Sequence, residues 1–242
     1  MIMLLAPSRK PSHPFRSQQV VFILLGLIIS FFPVIARTQQ NLFNVPSSDI
    51  TEKGQVFFQQ QINLVSLRAT GFTTFTYGLG NNAEAGINLF SVPTGGNGQS
   101  PAFLFNLQKG FNPSSFHKIS LGTQTGLTMP WYTPVHVPSF SYINNAIDLK
   151  KWGKYYLGGY YADRAYAGAG NSIGLMAGVE HEIISNKLHL IGDLLSGHNN
   201  ISTAAVGAMV YLPGRWHLSA GALLPYPGSH NHHGVIFQIT HE

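Results

Sequence analysis

From Gln55 to the C-terminus the chain alternates apolar and polar residues in short runs, punctuated by Gly, Pro, Asn and Ser. A period of two puts successive side chains on opposite faces of an extended backbone, so these runs predict β-strands. Twelve stand out: 55–66, 69–79, 83–92, 101–108, 117–128, 140–149, 154–163, 172–183, 188–195, 201–212, 216–224 and 234–241. Most are close to the ~9–11 residues with which a tilted strand crosses a membrane. In the fifth, Ile119, Leu121, Leu127 and Met129 oppose Lys118, Ser120, Gln124 and Thr128. In the eighth, Ile173, Leu175, Ala177 and Val179 oppose Gly174, Gly178, Glu180 and Glu182. The third sets Ala85, Ile87 and Leu89 against Glu84, Gly86 and Asn88, and the ninth sets Leu188, Leu190 and Leu194 against His189 and Asp193. Asp148 likewise opposes Ile143, Ile147 and Leu149. The charges share the less apolar face.

A soluble sandwich also alternates, with its apolar face turned inward. Its outer face would carry many Lys and Glu, which keep a sheet soluble and blunt its edges. Here the polar parity is rich in Gly and light in charge. Connection lengths alternate too. Short turns fall at Asn81-Asn82, Lys150–Gly153, Ser185–Lys187 and Pro213–Arg215, between longer loops at 93–100, 129–139, 164–171, 196–200 and 225–233. Only the connection near Leu67-Arg68 is short where a long loop is expected. Outer-membrane barrels join their strands by short periplasmic turns and longer outer loops, with aromatic girdles at the interfaces. Trp131, Tyr132, Trp152, Tyr155, Tyr211 and Trp216 lie near predicted strand ends. The pattern therefore predicts an all-β fold, an antiparallel transmembrane β-barrel of about 12 strands spanning residues 55–242.

Composition fits that solvent. The chain is 44% hydrophobic and 10% charged, against ~25% charged in a typical soluble domain. Arg9, Lys10 and Arg16 precede the apolar run Val20–Ile35, and Ala36 offers a small residue for cleavage. These are the parts of a secretory signal peptide over residues 1–36, followed by a polar periplasmic lead-in over 37–54. Cleavage would remove three of the 14 basic residues and none of the nine acidic ones, leaving 11 against nine, or +2. The basic balance thus owes much to the signal, and nucleic acid is not an expected partner. Absence of Cys excludes a lipidated anchor and disulfides. Without a second long apolar run, membrane residence must be by strands. The expected location is the bacterial outer membrane, reached by the general secretory route.

The predicted lumen-facing residues are Glu84, Asn88, Lys118, Gln124, Asp148, Glu180, Glu182 and Asp193. Acids dominate this set, so a narrow pore with a mild preference for neutral or cationic solutes is expected. The expected function is a passive channel or transporter for small solutes. The alternatives are a structural or adhesive barrel with a filled lumen, or a soluble exported β-sandwich that binds a ligand or partner. Catalysis is not expected. No Gly-Xaa-Ser-Xaa-Gly elbow or phosphate loop occurs, and His181 on a strand must face away from Glu180 and Glu182. His230, His232 and His233 lie in one loop without an accompanying acid, so they predict polar loop residues rather than a metal site. No cofactor is implied.

Two stretches carry resemblances. His232-His233-Gly234-Val235-Ile236-Phe237-Gln238-Ile239 resembles the barrel-assembly β-signal, with His232, Gly234, Phe237 and Ile239 at its defining positions. The resemblance implies the barrel-assembly machinery and outer-membrane lipid as partners. The chain departs from the usual form by ending in Thr240-His241-Glu242 rather than Phe or Tyr. Phe72–Asn82 with the strand Glu84–Phe90, and Gly192–Asn200, are similar to twelve-stranded outer-membrane proteins grouped with transporters of aromatic-compound (phenol meta-pathway) degradation. That likeness covers a small part of the chain and implies passage of small molecules.

Overall fold

The computed structural model describes residues 42–93, 100–131, 133–229 and 231–242. The signal peptide expected over 1–36 lies outside the described residues, as do residues 37–41 of the lead-in. The fold is the closed antiparallel barrel that the alternation predicts. Its strands are β1 (Val56–Val65), β2 (Arg68–Gly80), β3 (Ala83–Pro93), β4 (Ala102–Ser114), β5 (His117–Thr128), β6 (Ser139–Asp148), β7 (Lys154–Ala162), β8 (Ile173–Ile184), β9 (Leu188–Leu195), β10 (Thr203–Leu212), β11 (Trp216–Pro225) and β12 (Gly234–His241). Each pairs with its sequence neighbours, and β12 closes on β1 from Phe58↔His241 to Val65↔Gly234. Closure leaves no sheet edge, the condition for strands to sit in lipid.

The registers fix which parity faces out. Phe105, Leu157 and Leu175 are 62%, 64% and 65% exposed, at mid-strand positions where water would penalise them. Of the charged strand residues only Lys109 lies on this outward parity, and its Nζ reaches the Asn81 carbonyl beside a turn. The outside is therefore a lipid-facing belt, and the strands cross a membrane. A mid-membrane Lys or Arg there would cost about 2–4 kcal/mol.

Two expectations on extent need correction. β4 continues six residues past the expected end at 108, because Lys109, Gly110 and Phe111 keep the alternation and pair with β5. The connection after β1 is a two-residue hairpin with Ser66 and Leu67 both at positive φ (49° and 61°). Such a turn matches the strand twist, so no loop is needed there.

One end of the barrel carries the C-terminus and the short turns other than the β1–β2 hairpin. The other carries the longer loops, one of which contains a single helical turn, α1 (Arg164–Ala167). The interior is not uniformly polar. Inward-facing Tyr142, Tyr156, Met176, Ile191, Met209 and Ile236 form a core with Leu42, Phe43 and Val45. Those last three come from the segment expected as a periplasmic lead-in. The structure places residues 42–52 inside the barrel instead, since their apolar side chains find cover only there.

Candidate functional site

The lumen is occupied by the chain's own N-terminal segment. Running back from β1, the backbone first pairs with β2 through Gly54 N–H to the Gly78 carbonyl, at 2.9 Å. It then crosses the wall side chains one after another. Thr51 N–H donates to Glu84 Oε2 at 2.6 Å. Asp49 lies between Lys118, whose Nζ is 2.6 Å away, and Lys154. Gln108 donates to the Ser47 carbonyl at 2.9 Å and Asn144 to that of Pro46. Asp193 accepts the N–H groups of both Asn44 and Val45, and Gln238 donates to the Phe43 carbonyl at 3.0 Å. A main chain buried in a barrel needs such partners, because each orphaned polar group costs ~1–3 kcal/mol.

Glycines on the inward parity make room for this passage. A Cβ at Gly178 would lie 2.2 Å from Leu42 Cδ1, one at Gly221 2.7 Å from Phe43 Cζ, and one at Gly78 2.0 Å from the Glu52 carbonyl. The Gly-rich polar parity of the sequence is thus a track shaped for an internal strand of chain. Asp49 is the electrostatic anchor. Burial alone would raise its carboxyl, but the ammonium groups of Lys154 and Lys118 hold it below its ordinary value of 3.8.

The predicted lumen residues fall into three groups. Glu84, Lys118 and Asp193 hold the internal segment. Asn88 and Gln124 bond to each other at 2.9 Å, and Asn106 donates to Asn88 at 2.7 Å, forming an amide cluster above it. The remaining acids serve the turn end. Glu180 meets His189 Nδ1 at 2.7 Å, Glu182 accepts Asn186 N–H at 2.7 Å, and Asp148 accepts Lys150 N–H at 2.7 Å. The acids read as lining an open pore are therefore largely engaged. Gln108, Asn144, Lys154 and Gln238 also grip the segment, and sequence reasoning had not singled them out. In the assembly-signal stretch, Phe237 and Ile239 face outward, and Gly234 packs where a Cβ would lie 2.4 Å from the Leu64 carbonyl. His232 is in the preceding loop.

Between the segment and the loops lies a cavity of about 870 Å³. Phe43, Asn44 and Pro46 form its floor, and Asn88 and Gln124 are on its wall. Arg164, Tyr166, His136 and His232 are among the residues at its loop end. α1 is anchored inward. Asp163 caps it by accepting Tyr166 N–H at 2.8 Å, and the Tyr166 ring packs 4.7 Å from Phe90 and 5.1 Å from Phe140. Below the floor, a gap beside Pro46, Glu84 and Tyr142 has only about 40 Å³, room for a water but not for a solute.

No family model and no curated protein matches the chain. Two solved structures do. KdgM porin in complex with disordered oligogalacturonate aligns at TM-score 0.55 and 7% identity, over 77% of this chain and 98% of that one. LpxR from Salmonella typhimurium aligns at TM-score 0.43 and 11% identity, over 77% and 99%. The second match is too distant in geometry to carry structural inference, and the first, at so low an identity, speaks to fold alone. By fold, then, the chain is a closed twelve-stranded antiparallel barrel similar to that of a porin.

Proposed function

We propose that the protein is an outer-membrane channel for small solutes, held shut by its own residues 42–52. The observation that carries this reading is how the segment is bound. Polar wall side chains grip its main chain along a glycine-lined track, beneath a solute-sized cavity that opens among the loops. A barrel that needed only a filled interior could use its own wall side chains, as small barrels do. A separate segment joined to the wall without covalent bonds is a stopper that can leave. The lipid-facing belt and the similarity in fold to a porin support membrane residence and passage. The resemblance of Phe72–Asn82 and Gly192–Asn200 to transporters of aromatic-compound degradation supports small molecules as cargo; the second stretch forms part of β9 and the loop beside the cavity.

A permanently closed structural barrel is the rival, and burial of Leu42, Phe43 and Val45 favours it. Planar-bilayer recording separates the two. The channel reading expects rare openings from the native chain and frequent ones when the segment's anchors are removed. Silence from both would leave the structural barrel.

A further inference from the structure

Charge is distributed unevenly along the lumen. The turn-end half holds Glu84, Asp148, Glu180 and Glu182 on its wall, with Lys118 and Lys154 among them. Asp193 lies nearer the loops, under the cavity floor, where it holds Asn44 and Val45. The loop-end cavity has no Asp or Glu among its lining residues, although it has a cation in Arg164 and two imidazoles in His136 and His232. The Arg164 carbonyl accepts Gly168 N–H, but the guanidinium makes no hydrogen bond or ion pair among the described residues. The nearest acid in sequence, Asp163, is committed to capping α1 through Tyr166 N–H. Packing of Tyr166 between Phe90 and Phe140 holds α1 inward, so the exposed Arg164 side chain lines the mouth of the cavity.

A solute inside the loop-end cavity therefore meets the Arg164 charge and no carboxylate in the lining. We infer that the loop-end cavity admits small anions, such as organic carboxylates, in preference to cations, with Arg164 as the selecting residue. This deepens the channel reading and rests on it for what happens after entry. It also reverses the preference expected from the wall acids, which lie on the far side of the segment or are spent on holding it. Amides at Asn88 and Gln124, already bonded to each other, supply a neutral polar surface that does not oppose an anion.

The chain contains no Cys, so one introduced thiol reports the local potential whether or not the barrel conducts. Ala165 lines the cavity beside Arg164 and is exposed. Ala165→Cys in the full, folded barrel is reacted with a sulfonate-bearing and a trimethylammonium-bearing methanethiosulfonate, and the rate ratio is compared with that of a small thiol in solution. A unit charge a few Å away in a protein-walled cleft changes local ion concentration by about fivefold or more. The anionic reagent should be favoured by at least that factor at low salt. Adding Arg164→Gln should bring the ratio to within about twofold of the free thiol. Salt near 1 M should do the same, because screening then acts within ~3 Å.

Thr70→Cys on the cavity wall gives a second reporter, with a smaller effect of the same sign, and heat-modifiable gel mobility shows that each variant is folded. A ratio at or below the free-thiol value, or one indifferent to Arg164→Gln, overturns the inference. Conductance decides the channel reading separately. Anion-favouring thiols in a barrel that never conducts leave this inference standing and that reading fallen, and conduction without the bias does the reverse.

Discussion

Asp193→Ala is the most informative single perturbation of the stopper. Its carboxylate accepts the N–H groups of Asn44 and Val45, and the Asn44 side-chain amide at 3.3 Å. Hydrogen bonds to a charged acceptor contribute ~1.5–3 kcal/mol each, and a buried N–H left alone costs ~1–3 kcal/mol. With the segment released, water satisfies the same groups, so the loss falls only on the closed state. Taking the two main-chain bonds at the low end gives about 3 kcal/mol, and each ~1.4 kcal/mol is tenfold in equilibrium. The opening equilibrium should shift by roughly 10²-fold toward the conducting form. The assay is open probability per inserted protein in planar bilayers. Asp148→Ala serves as control, since that wall acid bonds to its own turn and not to the segment. Conductance of Asp193→Ala no different from native and from Asp148→Ala, in barrels shown to be folded, refutes the reasoning.

Gly178→Leu places a side chain where Leu42 Cδ1 sits; it should raise conductance as Asp193→Ala does without impairing assembly, read by bilayer recording alongside gel mobility. Asp49→Asn removes the partner of Lys118 and Lys154 and should also loosen the segment. Because those lysines depress the Asp49 pKa, its contribution is complete above the ordinary 3.8 and is lost as pH falls through the lowered value. The difference in open probability between native and Asp49→Asn should therefore be constant from neutral pH to about 5 and vanish only in stronger acid. On the outside, Phe105→Arg should destabilise the barrel in lipid by about 2–4 kcal/mol, measured by urea unfolding from vesicles.

The strands and their orientation were legible in the sequence because a period of two is a local signal. Ile119, Leu121 and Leu127 needed only Lys118, Ser120 and Gln124 beside them to declare a face. The internal segment was not legible. Leu42, Phe43 and Val45 follow no period, and their partners Asp193 and Gln238 lie 148 to 195 residues away. The clues that existed were indirect: an inward acid, Asp193, opposite Gly178 and Ala205, and glycines such as Gly178 and Gly221 on the lumen parity. Read as features of an empty pore, the acids predicted cation preference. Their bonds to main-chain N–H groups give them a different task. Arg164 went unremarked because nothing in a loop sequence says that α1 turns inward; the stacking of Tyr166 on Phe140 decides that.

The central claim, that residues 42–52 are the gate, is tested most directly by tethering them. Ser48 Oγ and Ser120 Oγ are 3.3 Å apart, one on the segment and one on the wall. With no native Cys to interfere, Ser48→Cys with Ser120→Cys should form a disulfide with little movement. In the Asp193→Ala background, the account predicts conductance under reducing conditions, its abolition on oxidation, and its return with a reductant. Conductance that persists unchanged in the oxidised, cross-linked protein would contradict it.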